Sequence, residues 1–256
     1  MKMKHVLVMF GSTSDALVYN RIVECLRKER INVELRILSA HRTPEEVDKV
    51  IAAGKHDVII AGAGLAAHLP GVIAARTTVP IIGVPCNSNF DGIDSLLSIV
   101  QMPPGIPVIS VGVDRAEEAA RGAQLMMKKY NDVCITGDET QKAVQSCVSM
   151  LKELGTTYRI GDVDDGSVNI LFSVLGEAQS HTALVLTVPI AQSQRAADAQ
   201  KMMAMMQNGL FLGVNRGENA ALAAAAILGQ TERIKKYRAQ MKQKVLDADS
   251  EVHDGL

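Results

Sequence analysis

The sequence predicts an α/β protein with a doubly wound parallel sheet, present in two tandem copies. Short apolar segments of strand character alternate with amphipathic helical segments through the first half of the 256-residue chain. Because parallel strands need crossover connections, this alternation favours a parallel sheet with helices on both faces. The same order of segments recurs in the second half, which predicts the second copy.

Each element of the first half has its own signal. Alternating or β-branched apolar runs predict strands, and a 3.6-residue apolar period predicts helices. Thr43 as a candidate N-cap and Pro44 at the first helical position predict the start of the second helix. The predicted strands cover 5–10, 31–38, 57–64, 79–85 and 106–113, and the predicted helices cover 14–28, 43–54 and 115–129.

The second half repeats this order with local identity. The segment "LGVNRGENAALAAAAIL" (212–228) parallels "VGVDRAEEAARGAQLMM" (111–127), with glycine, valine, arginine and glutamate matching in place. These matches predict a duplication; the alternative is two α/β halves that merely look alike. The other matching segments are the strand 132–136, the helix 137–155 and the strand 184–189. The predicted domains are 1–130 and 131–230, followed by a tail helix in 231–256.

Composition narrows the class of protein. Lys and Arg number 27 against 28 Asp and Glu, and this balance argues against a nucleic-acid-binding protein. No apolar run approaches the roughly 20 residues of a membrane span, and the start resembles no signal peptide. The four cysteines lack metal-type spacing and are expected to be reduced thiols. We therefore expect a cytoplasmic protein without a membrane partner.

Four polar turns follow strands of the first half and are predicted to meet at one edge of the sheet, where open α/β sheets bind ligands. Gly11 and the neighbouring hydroxyls suit an anion such as phosphate, and His41 adjoins Arg42 in the second turn. Each turn alone is also typical of ordinary caps and loops. The four turns are "GSTSD" (11–15), "SAHRTP" (39–44), "GAGLAAHLPG" (62–71) and the segment 83–108, which carries Ser88, Asn89, Asp94 and Gln101.

Together, "GSTSD", "SAHRTP", "GAGLAAHLPG" and "DSLLSIVQMPPGIPV" resemble, in order and spacing, the motifs of the PurE family of purine biosynthesis. The resemblance covers about residues 5–129, and the charged final helix resembles the family's C-terminal tail. It implies a three-layer, flavodoxin-like fold. It also implies an enzyme that acts on a ribonucleotide without a metal or an organic cofactor.

The family has two branches. One moves a carboxylate from the exocyclic amine of 5-(carboxyamino)imidazole ribonucleotide to ring carbon 4; the other carboxylates aminoimidazole ribonucleotide directly with carbon dioxide. The chain resembles the first branch more closely, because Arg42 follows the turn histidine and His68 lies in "AAHLPG". Leu65, where the family has glycine, and "CNSNF" (86–90) depart from the pattern. The direct carboxylase, and a non-catalytic ribonucleotide sensor, remain alternatives.

The resemblance also implies residue roles. His41 is the proton shuttle, since imidazole with its ordinary pKa near 6.5 both gives and takes a proton near neutral pH. Ser12 and Arg42 bind phosphate and Asp15 binds ribose hydroxyls. Ser39 and His68 line the carboxylate and carbon dioxide pocket. The other residues expected to contact substrate are Gly11, Ser14, Ala40, Gly64, Ala67 and Leu69.

The second half has lost these motifs. "GDETQ" replaces "GSTSD", and no counterpart of the histidine turn and its helix precedes "VNILF" (168–172). We interpret His181 as a polar loop residue rather than a substitute for His68. The second half is thus predicted to be a structural pseudo-domain. Since single-copy members form octamers, the resemblance implies a homo-oligomer, here a tetramer of two-domain chains.

Overall fold

The computed structural model describes residues 4–177 and 179–254. These residues form one sheet flanked by helices. The strands are β1 (His5–Phe10), β2 (Asn32–Ile37), β3 (Val58–Ala63), β4 (Ile81–Pro85), β5 (Ile109–Ser110), β6 (Val133–Thr136), β7 (Tyr158–Ile160), β8 (Val168–Val174), β9 (Val185–Ile190) and β10 (Leu210–Phe211). The helices are α1 (Ala16–Lys28), α2 (Pro44–Ala52), α3 (His68–Ala74), α4 (Ile93–Val100), α5 (Ala116–Met126), α6 (Lys142–Glu153), α7 (Ala196–Met205), α8 (Gly217–Ile227) and α9 (Thr231–Asp254).

The sheet has the order β2-β1-β3-β4-β5-β10-β9-β8-β6-β7. Its first half is parallel with the order 2-1-3-4-5, which is the flavodoxin-like order, and this confirms the predicted fold class. The second half follows the same order, with β6 to β10 in the places of β1 to β5. The duplication itself stays a prediction, which the repeated order supports.

Alternate residues of the strands face two different cores, because successive side chains of a strand point to opposite faces. On one face Val6, Val8 and Phe10 pack under α1 and α5, and this cluster continues without a break under α6 and α8. On the other face Leu7 and Met9 pack under α2, α3 and α4. The first half is therefore three-layered, and its main core extends into the second half.

The two halves meet where the shortest strands, β5 and β10, pair antiparallel at Ser110 and Phe211. A Cβ at Gly112 would collide with the carbonyl of Met206, and one at Gly213 with the carbonyl of Val100. Each matched glycine thus lets its half approach the other. The predicted division at 130 stays a prediction, since the halves share one sheet and one core.

Some predicted elements are shorter than expected. The strand predicted over 106–113 pairs only at Ile109 and Ser110. The helix predicted over 137–155 begins at Lys142, because Thr140 donates from its backbone N–H and its hydroxyl to Asp138 Oδ1 (2.9 and 2.7 Å) and holds a turn. Thr43 precedes α2 as predicted, but its hydroxyl bonds Ser39 instead of capping the helix.

Helices α3 and α4 lie where the sequence predicted turns, and α7 lies in a segment for which no element was predicted. In the described residues of the second half, no helix lies between β7 and β8 or between β8 and β9. The tail helix α9 returns to the first half, where Arg238 donates to the carbonyls of Ala74 (2.9 Å) and Thr77 (2.6 Å). Within the described ranges, no helix is long and apolar enough to cross a membrane.

Candidate functional site

The first turn of the candidate site follows β1. Gly11 donates its N–H to the carbonyl of Gly62 (3.1 Å), so the chain leaves the sheet close to the end of β3. Ser12 then caps a short 3-10 turn, Thr13–Asp15, with its Oγ accepting from the backbone N–H (3.1 Å) and the hydroxyl (2.8 Å) of Ser14. This turn presents polar groups immediately before α1.

Asp15 closes that turn in a partly desolvated place. Burial raises the pKa of its carboxyl above the ordinary value, and the nearby charge of Asp114 adds to the rise; the Ser14 hydroxyl, which donates to Asp15 Oδ1 (3.2 Å), opposes it. Ionisation of this carboxyl therefore costs more than it does in water, and hydrogen bonds from a ligand can offset that cost.

His41 and His68 meet at the centre of the site. His41 Nε2 lies 2.9 Å from His68 Nδ1, and the rings stand edge to face with centroids 5.0 Å apart at 83°. A hydrogen bond at this distance requires a proton on one of the two nitrogens and a lone pair on the other. His68 is the first residue of α3, and both imidazoles are exposed. The pair can therefore exchange a proton with a ligand from solvent.

The strand-end turns are tied together one after another by hydrogen bonds. This confirms that the turns lie at one edge of the sheet, as their positions in the sequence predicted. The joining bonds are Arg42 Nη2 to the Gly11 carbonyl (3.2 Å), the His41–His68 contact, the Leu65 N–H to Ser88 Oγ (2.9 Å) and the Asn87 N–H to Asp114 Oδ1 (3.0 Å).

The remaining predicted contact residues divide into two groups. Ser39 Oγ accepts from the Arg42 N–H (3.3 Å), Ala40 is half-buried beside it, and Gly64 is held so near Ser88 that a Cβ would lie 3.2 Å from its Oγ. Ala67 and Leu69, by contrast, are 1% and 2% exposed and pack into the core. Their side chains do not line the edge, and only their backbone can face a ligand.

The residues that depart from the family pattern include two with a positive backbone φ angle, Leu65 and Phe90. Leu65 has φ +55°, in the left-handed region that favours glycine, and 56% of it is exposed. In "CNSNF" the last residue, Phe90, has φ +51° and is 78% exposed, and Asp91 follows with φ +55°. Leu65, Phe90 and Asp91 thus adopt a backbone conformation typical of glycine.

Sequence reasoning missed Asp114 and misplaced Gln101. Asp114 follows β5 with φ +57° and donates its N–H to the Pro85 carbonyl (2.9 Å). Its charge also helps to raise the pKa of Asp15. The signal was its place in the repeated "GV[DN]R" segment. Gln101 follows the last residue of α4, about 12 Å of helix away from the strand end, and so lies outside the site.

The corresponding edge of the second half holds an open cavity of about 840 Å³. Gln141, Lys142 and Asn215 are among its lining residues, and no histidine or arginine of the described residues lines it. His181 lies elsewhere, beside Val185 and Leu210 at the opposite edge of the sheet. Its position supports the interpretation that it is no substitute for His68.

Known proteins are similar to this chain over about half of its length. The chain is 52% identical over 115 residues to the N5-carboxyaminoimidazole ribonucleotide mutase of Methanocaldococcus jannaschii, covering 45% of this chain and 73% of that protein. It is 47% identical over 129 residues to the chloroplastic phosphoribosylaminoimidazole carboxylase of Vigna aconitifolia, covering 48% of this chain and 23% of that protein. The crystal structure of Treponema denticola PurE aligns at 28% identity with a TM-score of 0.43, covering 46% of this chain and 76% of that one.

The family model described as AIR carboxylase matches residues 5–146. This span is more than half of the chain and contains every strand-end turn of the candidate site. The chain therefore belongs to the AIR carboxylase (PurE) family.

Proposed function

We propose that the chain converts 5-(carboxyamino)imidazole ribonucleotide into 4-carboxy-5-aminoimidazole ribonucleotide, a step of purine biosynthesis. The observation that carries this proposal is the His41–His68 contact of 2.9 Å, set between the Ser12 turn and the Ser88 turn. The activity named for the relative from M. jannaschii supports the same substrate.

In the proposed reaction the N–C bond of the carbamate breaks, carbon dioxide leaves, and the amine nitrogen gains a proton. Carbon 4 of the ring then bonds the carbon dioxide and loses its own proton, which restores the aromatic ring. One proton is taken up and one released, so a single imidazole balances the cycle. His41 is this shuttle, and His68 holds its Nε2 in position and exchanges the proton with it.

Substrate binding uses the groups around the pair. Arg42 donates to the Gly11 carbonyl with one nitrogen and has further N–H groups for a phosphate. Ser12 and the backbone of the following turn contribute donors to the same anion, and the Asp15 carboxylate accepts from ribose hydroxyls. Binding that also keeps carbon dioxide beside the ring makes recapture faster than its loss to water.

Direct carboxylation of aminoimidazole ribonucleotide is the second candidate, favoured by the carboxylase name of the V. aconitifolia relative. The two are separated by offering each ribonucleotide with and without bicarbonate and following the product by absorbance. We expect product from the carboxyamino substrate without added bicarbonate. Product only from aminoimidazole ribonucleotide with bicarbonate would contradict the mutase and indicate the carboxylase. Binding without any product would indicate a sensor.

A further inference from the structure

A second cluster of chemically active side chains lies at the opposite edge of the sheet from His41. His5 begins β1, Glu34 lies on β2 and His56 comes just before β3. One ligand-type atom of each residue lies within 4.8 Å of the other two. Three neighbouring strands therefore direct two imidazoles and a carboxylate to one point.

His5 is held in the tautomer that a metal ligand needs. Its Nδ1 lies 3.2 Å from the Lys55 carbonyl, which can only accept, so this nitrogen carries the proton. The lone pair of Nε2 is then available. A metal-bound histidine commonly donates its other N–H in this way, because the second contact fixes the orientation of the ring. The backbone N–H of His5 also donates to Asp57 Oδ2 (2.9 Å), which fixes the start of the strand.

His56 and Glu34 form the other part of the cluster. His56 Nε2 lies 3.0 Å from Glu34 Oε2, and the imidazole side chain is only 3% exposed. Arg36 lies 3.5 Å from the other carboxylate oxygen, Oε1, and so leaves Oε2 directed at His56.

An ion pair that joined β2 to β3 would need only Glu34 and His56. The centroid of the His5 ring lies 5.0 Å from that of the His56 ring. His5 thus adds a third metal-ligand atom, which an ion pair between Glu34 and His56 does not require. We propose that His5, Glu34 and His56 bind a Zn²⁺ ion, with water in the fourth position. Two imidazoles and one carboxylate suit zinc, whose tetrahedral bonds of about 2.0–2.2 Å place ligand atoms a little over ~3 Å apart. His56 Nε2 and Glu34 Oε2, 3.0 Å apart, are already close to that spacing.

On binding, Zn²⁺ takes the lone pair of His56 Nε2 and displaces the proton on that nitrogen, which passes to Nδ1 of a neutral imidazole or to solvent from a charged one. The ion would join β1, β2 and β3 at their amino ends and stabilise the folded chain. It lies at the far end of these strands from the His41–His68 pair, so it takes no part in the proposed reaction.

The experiment titrates the full chain with Zn²⁺ by calorimetry, and with Co²⁺ by visible absorbance. His41→Asn serves as the background, because His41 and His68 together could bind the same ions. In that background His5→Gln, Glu34→Gln and His56→Gln each remove one ligand, and His253→Gln, exposed on α9, is the matched control.

We expect one Zn²⁺ per chain, a dissociation constant raised at least about tenfold by each ligand substitution, and no change in the control. His56→Gln removes a buried side chain, so circular dichroism is used to check that the variant is folded. If it is unfolded, the test rests on His5→Gln, because His5 is only half-buried. The absence of saturable binding would overturn the proposal. So would binding that His5→Gln and Glu34→Gln both leave intact, or a Co²⁺ spectrum with the intense charge-transfer band of thiolate ligands.

Discussion

The contact between His41 and His68 makes a prediction about a single side chain. In His41→Asn the amide keeps a hydrogen-bonding group near His68, but it does not titrate. We expect substrate binding to be retained and turnover to fall by at least about a hundredfold, the low end for general acid–base catalysis. Steady-state rates together with a direct binding measurement test this.

His181→Asn is the matched control, since His181 lies at the opposite edge of the sheet in the second half. Its turnover should equal that of the unmodified chain. A near-normal rate in His41→Asn would remove His41 from the mechanism.

Asp15 makes a prediction about pH. Its pKa is raised in the folded chain, chiefly by burial, so the folded state holds a proton that the unfolded state has released. Stability therefore falls as pH rises from the ordinary value of 3.8 through the raised one. Asp15→Asn does not titrate, so it does not lose stability in this way. We expect its melting temperature to rise relative to that of the unmodified chain as pH rises through this window.

The control for Asp15 is Asp138→Asn, where the sign is opposite. Hydrogen bonds from Thr140 lower the pKa of Asp138, so its ionisation stabilises the fold above 3.8. The melting temperature of Asp138→Asn should fall relative to that of the unmodified chain as pH rises through the lowered pKa towards 3.8. Equal pH profiles for the Asp15 variant and the unmodified chain would contradict the burial of this carboxyl.

At the scale of single residues, sequence reasoning located Ser12, His41, Arg42 and His68 correctly at one edge, because parallel strands bring their carboxyl ends together. It did not find Asp114. Nothing in the local sequence says that its backbone turns into the left-handed region and directs its carboxylate at the Asn87 N–H.

The turn between β3 and α3 makes a prediction about backbone strain. Leu65 occupies the left-handed region, which costs an L-residue about 1 kcal/mol. Leu65→Gly should raise the free energy of unfolding by up to about that amount, since the lost side chain is largely exposed. Denaturant unfolding measures the change.

Leu17→Gly is the matched control, because Leu17 is 90% exposed but lies in helix α1. Glycine there should lower the free energy of unfolding by about 1 kcal/mol. The same sign for both substitutions would show that the conformation of Leu65 is not strained.

The packing of α8 against the 101–105 loop makes a further prediction. Asn219, 2% exposed on α8, accepts from the Gly105 N–H (2.9 Å) and donates to the Pro103 carbonyl (3.0 Å). Asn219→Ala leaves both backbone groups without this partner, and we expect a loss of about 2 kcal/mol in the free energy of unfolding. Asn208 is exposed, so Asn208→Ala should change the free energy of unfolding little. An equal effect of the two substitutions would show that the hydrogen bonds of Asn219 do not stabilise the loop.

Among the elements, periodicity predicted the long helices and buried strands, but not α3 and α4. The sequence of α3, "HLPGVIA", contains Pro70 and Gly71, which are typical of turns. Burial of Leu69 and Ile73 against the sheet overrides this local preference. Sequence patterns carry no direct record of such long-range packing.

The whole molecule predicts one ribonucleotide per chain. The second half has a cavity at the equivalent edge, but Asp138 and Glu139 precede its first helix where the first half has Ser12 and Thr13. Carboxylates near a helix N-terminus compete with a bound phosphate. Calorimetric titration with a substrate analogue should therefore give a stoichiometry of one.

Two equivalent sites per chain would contradict the interpretation of the second half as a pseudo-domain. In that case Lys142→Ala, at the cavity of the second half, should abolish one of the two sites, and His41→Asn should leave both. The homo-oligomer, as a tetramer of two-domain chains, stays a prediction that measurement of the mass in solution tests.

The antiparallel pairing of β5 with β10 has a consequence for dilution. Two separate copies joined through these short strands would part as their concentration fell, because association costs translational freedom. Here both strands belong to one chain, so each half meets the other at an effective concentration that the solution does not change. The hydrogen bonds that join the two halves, including that from the Gly105 N–H to Asn219, therefore persist at the lowest protein concentration at which the chain stays folded.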